Sequence, residues 1–122
     1  MIYLGTDIVE IERIARLINN WSGRFLERIY TPEEIGYCQK QASPQIHFAG
    51  RFAAKEAVKK AVYSAGYDTP IAFNQIQITR TEQGAPLVKV VNLSDMEIKI
   101  SISHTANNAV ATAVVVNHEA RT

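Results

Sequence analysis

The sequence predicts an α+β fold, helices packed on a largely antiparallel sheet, because its two halves repeat their apolar residues with different periods. After residue 10 the period is helical: Ile11, Ile14, Ala15 and Ile18 fall at i, i+3, i+4 and i+7. In the second half it is two, as in Ile76 and Ile78, Leu87 to Val91, Ile98, Ile100 and Ile102, and Val110 to Val116. Between these runs stand Gly84-Ala85-Pro86 and Asn107-Asn108, residues suited to hairpin connections.

The elements follow in order. Ile2, Leu4, Thr6 and Ile8 alternate with Tyr3, Gly5, Asp7 and Val9, which predicts a first strand with both faces at least partly covered. It runs directly into the first helix, whose apolar stripe is flanked by Arg13 and Arg16. Thr31-Pro32-Glu33-Glu34 joins a capping Thr, a first-turn Pro and a third-position Glu, so a second helix is expected through about Lys40. A third begins after Ser43-Pro44 and stops near Gly66, a suitable C-terminal cap.

With 122 residues, 47% of them hydrophobic, the chain is sized for one core, and a single domain is expected over 1–122. The lone Cys38 forms no internal disulfide, and no apolar run approaches the ~20 residues of a membrane span. No signal-peptide pattern opens the chain, so a cytoplasmic protein without a membrane partner is expected. A formal net charge of +1 argues against a general nucleic-acid binder and leaves electrostatic recognition to local patches.

The stretch Arg51-Phe52-Ala53-Ala54-Lys55-Glu56-Ala57-Val58-Lys59-Lys60-Ala61 sets a carboxylate and several cations on a largely apolar helix. Glu56 and Lys60 stack on one face with Phe52 and alanines, which implies partial burial and a need for compensating charge. Taken alone, they read first as an ordinary helical Glu–Lys pair, stabilising by ~0.2–0.5 kcal/mol; the N-terminal segment opens the other reading. Asp7 lies inside a strand, where an inward-facing acid requires a basic partner or a metal ion. Asp7 and Glu56 can share one, and two carboxylates completed by water and substrate phosphate are a usual way of holding Mg²⁺. Arg51 precedes Glu56 by five residues and Lys60 by nine, so at ~100° per residue it points away from both. Either its side chain reaches around the helix or it serves a site completed by a neighbouring subunit.

Together these segments resemble the holo-(acyl-carrier-protein) synthase family, the small bacterial type of 4′-phosphopantetheinyl transferase. Gly5-Thr6-Asp7-Ile8-Val9-Glu10-Ile11-Glu12-Arg13-Ile14 is similar to the family's first motif, and Gly50 to Ala61 to its Lys-Glu-Ala-x-x-Lys-Ala helix. Gly84-Ala85-Pro86 and Ser101-Ile102-Ser103-His104-Thr105 resemble its later landmarks, in the same order. The resemblance implies a 4′-phosphopantetheinyl transferase-like fold and Mg²⁺-dependent transfer of 4′-phosphopantetheine from coenzyme A to a serine of an acyl carrier protein, with 3′,5′-ADP released. It implies that Asp7 and Glu56 are metal ligands and, with Lys60 as the phosphate-binding lysine, the catalytic set. Arg51, Lys60, His104 and Thr105 would bind coenzyme A, and Arg13, Arg16, Arg24 and Arg28 the acidic carrier protein. A homotrimer with active sites between subunits is implied, and alternating strands such as Ile98 to Ile102 offer apolar faces for it.

His47 and His118 read as surface or structural residues, and the three histidines lack metal-ligand spacing. Departures from the family pattern at Thr6, at Tyr63-Ser64-Ala65-Gly66 and at Asn107-Asn108-Ala109 bear on the loops that shape the coenzyme A pocket. Two other classes fit the same residues. A metal-dependent nucleotide or pyrophosphate hydrolase would use the two carboxylates with water as nucleophile, and a non-catalytic carrier-protein or nucleotide-binding module would keep the fold without turnover.

Overall fold

The computed structural model describes residues 1–117. They form β1 (Ile2–Glu10), α1 (Ile11–Ile29), α2 (Pro32–Gln39), α3 (Pro44–Ser64), a 3₁₀ turn at Phe73–Gln75, then β2 (Ile76–Arg80), β3 (Pro86–Val90), β4 (Met96–His104) and β5 (Asn108–Asn117). His118 lies outside the described residues. The expected cap of α2 is formed in full: the Glu34 amide donates to the Thr31 hydroxyl (3.3 Å), and the Thr31 amide donates to Glu34 Oε1 (2.8 Å). Helix α3 ends where expected, with Gly66 in the left-handed region at φ +99°.

All strand pairs are antiparallel, but they divide into a three-stranded sheet ordered β1-β5-β4 and a two-stranded sheet β2-β3. The division falls after β3. Asn92 adopts a left-handed conformation there (φ +67°) and Leu93 turns into the core, so β4 leaves β3 and pairs with β5 instead.

Helix α3 crosses the three-stranded sheet. Small residues allow close approach: Ala49, Ala53, Ala57 and Ala61 meet a face built from Val9, Ala109, Ala111, Ala113 and Val115, all buried. Gly5 marks the tightest point, since a Cβ there would fall 2.1 Å from the carbonyl oxygen of Ala57. Strand β1 and helix α3 are therefore held in fixed register where Asp7 and Lys60 must meet.

The other face of this sheet differs from expectation. Ile2, Leu4 and Ile8 are 67%, 63% and 66% exposed, opposite Val116, Val114 and Val110 of β5. Among the described residues nothing covers them, and α3 packs on the other face of the sheet. The faces expected on Ile98, Ile100 and Ile102 are instead turned inward against the core, so the free apolar surface belongs to β1 and β5.

A buried ion pair ties the remaining elements to α3. Lys55 and Glu34 are fully buried, and the ammonium donates to Glu34 Oε1 (2.6 Å) and to the carbonyls of Ile29 (2.7 Å) and Phe73 (3.1 Å). Glu34 Oε2 accepts from the Ile78 amide (2.8 Å), so one pair joins the end of α1, the start of α2, α3 and β2. Burial lowers the Lys55 pKa from the ordinary lysine value, against the opposing pull of Glu34. Burial also pushes the Cys38 thiol up to about 11, consistent with a packing role for this cysteine.

Candidate active site

The sequence-marked residues gather at two places on α3. At the first, where Gly5 packs on the helix, the Lys60 ammonium donates to the carbonyl of Thr6 (2.9 Å) and to Asp7 Oδ1 (3.2 Å). Asp7 has its basic partner, and that partner is Lys60. The Asp7 side chain is 17% exposed and that of Lys60 53%, so the pair sits at the rim of the β1–α3 contact, reachable from solvent.

Glu56 is half-buried one turn before Lys60, on the same face. The anticipated Glu56–Lys60 helix pair does not form, because the lysine is engaged by β1. The Glu56 carboxylate makes no hydrogen bond or ion pair among the described residues. A half-buried, unpartnered carboxylate one helical turn from the Asp7–Lys60 pair is open to a cation. Among the described residues no group of three or more His, Cys, Asp or Glu side chains could hold a metal, so an ion here would draw two ligands from this chain and the rest from water or substrate oxygens.

The second place lies an α3 turn before Lys55. Arg51 is 2% exposed, its Nε finds no hydrogen-bond partner, and its guanidinium lies 4.4 Å from the centre of the Tyr37 ring. It borders a cavity of about 60 Å³ together with His104, His47, Arg80, Gly50, Ile46 and Ile102. Arg51 thus does not reach around to Glu56; it faces the end of β4. Thr105, next to His104, is occupied with the β4–β5 turn: its hydroxyl accepts from the amides of Asn107 (3.2 Å) and Asn108 (3.1 Å), which leaves its own proton to donate.

The four arginines of α1 are exposed and fall within one broad arc of the helix. Arg16 pairs loosely with Glu12 (3.9 Å), while Arg24 and Arg28 border a groove of about 590 Å³ with Trp21, Phe25 and Glu27. The apolar floor of that groove continues inward, since Phe25 stacks on Phe52 (6.4 Å between centroids) and Phe52 on Phe73 (5.4 Å).

Residues 3–115 match the model of the 4′-phosphopantetheinyl transferase superfamily. The chain belongs to that family. Among its relatives, the holo-[acyl-carrier-protein] synthase of Protochlamydia amoebophila is 40% identical over 116 residues, 91% of this chain and 94% of that protein. That of Ruminiclostridium cellulolyticum is 40% identical over 121 residues, covering 92% and 90%. The fold agrees with solved structures. The Chronobacterium ammoniagenes ACPS–CoA complex superposes with a TM-score of 0.84 at 26% identity, over 97% of this chain and 98% of that one. The Bacillus anthracis holo-(acyl-carrier-protein) synthase in complex with CoA (3′,5′-ADP) gives 0.81 at 31% identity, over 94% and 96%. The chain is accordingly an enzyme, a 4′-phosphopantetheinyl transferase of the holo-(acyl-carrier-protein) synthase family.

Sequence reasoning gives no role to Lys55 or Arg80 and reads His47 as a surface or structural residue, whereas His47 and Arg80 border the cavity at Arg51 and Lys55 is buried against Glu34. Lys55 was hidden between the more conspicuous Glu56 and the alanines, although its position one turn after Arg51 puts it on the buried side of α3. Arg80 and His47 carried no motif. The only signal for Arg80 was a cation at a strand end, beside the Gly84-Ala85-Pro86 turn.

Proposed function

We propose that this enzyme moves the 4′-phosphopantetheine arm of coenzyme A onto a serine hydroxyl of an apo acyl carrier protein, releasing 3′,5′-ADP, in a Mg²⁺-dependent reaction of a cytoplasmic homotrimer. The observation that carries the reading is the Asp7–Lys60 contact, one turn of α3 from a Glu56 carboxylate without a partner among the described residues, in a chain of this family. The serine oxygen bonds to the β-phosphorus while the bond from that phosphorus to the bridging oxygen breaks. The serine gives up its proton, and 3′,5′-ADP departs with the electron pair.

Such a displacement needs charge neutralised and reactants held in line. Lys60, fixed at the rim by the Thr6 carbonyl, offers its remaining donor capacity to pyrophosphate oxygens. Asp7 and Glu56 fit Mg²⁺ as hard-oxygen ligands, because Glu56 has no other partner and Lys60 takes only Oδ1 of Asp7. When bound, the ion polarises the pyrophosphate and orients it. Arg51 and His104 suit the nucleotide end and its 3′-phosphate, with Thr105 donating from the adjoining turn. Coenzyme A in the neighbouring solved structures supports this assignment.

Mass spectrometry of purified apo acyl carrier protein incubated with the enzyme, coenzyme A and Mg²⁺ tests the reaction. One added phosphopantetheine per carrier is expected, lost when the metal is chelated. Hydrolysis of coenzyme A with the carrier unmodified would instead identify a hydrolase.

The trimer is supported by the bare Ile2, Leu4 and Ile8 face, which the described residues of one chain leave exposed. Arg51 and Glu56 look away from each other, as they would if neighbouring subunits supplied the two halves of one site. Mixed oligomers of Arg51→Ala and Glu56→Gln chains, formed under exchange, should then regain part of the activity that each variant lacks. Verified mixed oligomers with no regain would return both residues to a single subunit's site.

The basic face of α1 suits an acidic carrier protein. Arg13→Glu should raise the apparent KM for the carrier roughly fivefold or more, and that for coenzyme A far less, since exposed charge pairs contribute ~0.2–1 kcal/mol and reversal turns attraction into repulsion. Rising salt should weaken wild-type carrier binding in the same direction, over a screening length of ~8 Å at physiological ionic strength. An unchanged carrier KM and salt response would remove α1 from the docking surface.

A further inference from the structure

Lys59 stands beside the residues assigned to the reaction and has no part in them so far. At ~100° per residue it lies roughly 60° to one side of Glu56 on α3, with Lys60 roughly 40° to the other. Lys60 is engaged by Thr6 and Asp7 of β1, whereas Lys59 lies over Phe73, its ammonium 4.0 Å from the centre of the ring. No other cation–ring contact among the described residues is as short.

Two features of this contact point to a ligand outside the chain. The first is an acid that Lys59 does not take. Glu56, three residues earlier, is at helical pairing distance, yet half-buried Lys59 forms no ion pair with it or with any other acid among the described residues. A ring face attracts the ammonium charge and leaves N–H donors free for a ligand.

The second is how firmly Phe73 is held. Its carbonyl accepts from the buried Lys55 ammonium (3.1 Å), and its ring stacks on Phe52 (5.4 Å), which stacks in turn on Phe25 of α1 (6.4 Å). Lys55 and Lys59, one helical turn apart, thus hold the same residue, one by its backbone and the other by its ring. A cation resting on a fixed platform has less rotamer freedom left to lose on binding than one on a free stem.

The aromatic row also supplies a direction. It starts at the α1 groove bordered by Trp21, Arg24 and Arg28 and ends under Lys59, next to the Glu56 face of α3. A partner seated on α1 with its serine at the metal site has to cross this row.

We propose that Lys59 is a specificity-determining residue for the acceptor, meeting an acidic side chain of the carrier protein near the serine that is modified, and that Phe73 is the positioning residue that holds it there. This rests on the reading of α1 as the docking surface and of Asp7, Glu56 and Lys60 as the reacting centre, and adds a contact between the two. Lying across Glu56 from the Asp7–Lys60 pair, Lys59 is assigned to the carrier and not to the pyrophosphate.

Steady-state transfer by wild type, Lys59→Met, Lys59→Arg and Phe73→Leu, with carrier and coenzyme A varied in turn, tests the contact. Lys59→Met keeps an unbranched apolar stem on the ring and deletes the charge. It should raise the carrier KM roughly fourfold, the scale of one exposed charge pair. Its kcat and its KM for coenzyme A should stay within about twofold of wild type. The carrier KM of this variant should also respond less to salt, while Lys59→Arg, with a cation that stacks on rings, should regain most of the wild-type value. Phe73→Leu should reproduce part of the carrier defect and add little to it in the Lys59→Met background, because it acts through the lysine. A coenzyme A KM that rises as much as the carrier KM would make Lys59 a pyrophosphate ligand and overturn the proposal. A Lys59→Met enzyme that melts lower with an unchanged carrier KM would make the residue structural, which overturns it too while leaving the transfer reaction intact. Wild type that leaves the apo carrier unmodified would remove the carrier reading itself, and this contact with it.

Discussion

Asp7→Asn and Glu56→Gln should each lower phosphopantetheine transfer by roughly a hundredfold or more, the scale of removing one preorganised electrostatic partner from a reacting centre. Both substitutions keep the shape of the side chain and delete its charge. Stability should hardly change. Asp7 pairs with a Lys60 that is 53% exposed, so the ammonium can return to water, and the Asn oxygen still accepts from it. Glu56 has no partner among the described residues to lose. The fold should therefore survive with its melting temperature within a few degrees of wild type while the activity falls, and added Mg²⁺ should recover part of it by mass action. Either variant retaining near-normal transfer at ordinary Mg²⁺ would remove that residue from the metal site. Equal losses of stability and activity would mark a structural carboxylate.

The site was legible as chemistry before it was legible as geometry. An Asp inside a strand and a Glu on an alanine-rich helix are each costly without a partner, and that cost is visible in the residue types alone. Which cation answers which acid was not visible. Helical spacing joined Glu56 to Lys60, yet Gly5 brings β1 so close to α3 that Lys60 reaches the Thr6 carbonyl and Asp7 instead. Helix boundaries were plain because Thr31, Pro32 and Gly66 act within a few residues of themselves. Sheet composition was not, since alternation sets the faces of a strand without naming its neighbour. Val90 and Met96 both belong to alternating runs, and the left-handed turn at Asn92 that sends them to different sheets is one residue long. The split also explains Arg80. Its place at the cavity depends on β2 being tied to α2 and α3 through Glu34, a contact spanning 44 positions of sequence that no local pattern announces.

Removing the charge of Lys55 should be the most damaging single change to stability. Lys55→Met leaves the Glu34 carboxylate fully buried with only the amides of Thr31 and Ile78 as donors, and frees the carbonyls of Ile29 and Phe73 from their shared partner. Breaking a buried pair from one side costs ~3–5 kcal/mol, against a total stability of ~5–15 kcal/mol. In a chain of this size that is a drop in Tm of roughly 10 °C or more. The intact pair itself adds little, because the desolvation of two buried charges offsets most of their attraction; burial lowers the Lys55 pKa against the pull of Glu34. The sign matters for pH. The folded chain sheds this proton before the unfolded chain does, so alkaline conditions do not withdraw stability through Lys55. It follows that Lys55→Met combined with Glu34→Leu should recover part of the loss, as replacing both charges leaves no orphan ion. The recovery would stay incomplete, since Glu34 also serves the Thr31 cap and the Ile78 amide. Denaturant unfolding of wild type, both single variants and the double, at one protein concentration, measures the coupling. Additive losses would show that Lys55 and Glu34 act independently and dissolve the pair as the joint between α2, β2 and α3. Coupling of ~2 kcal/mol or more would establish it, and Arg51, one turn from Lys55 and facing Tyr37 of α2, would owe its position to that joint.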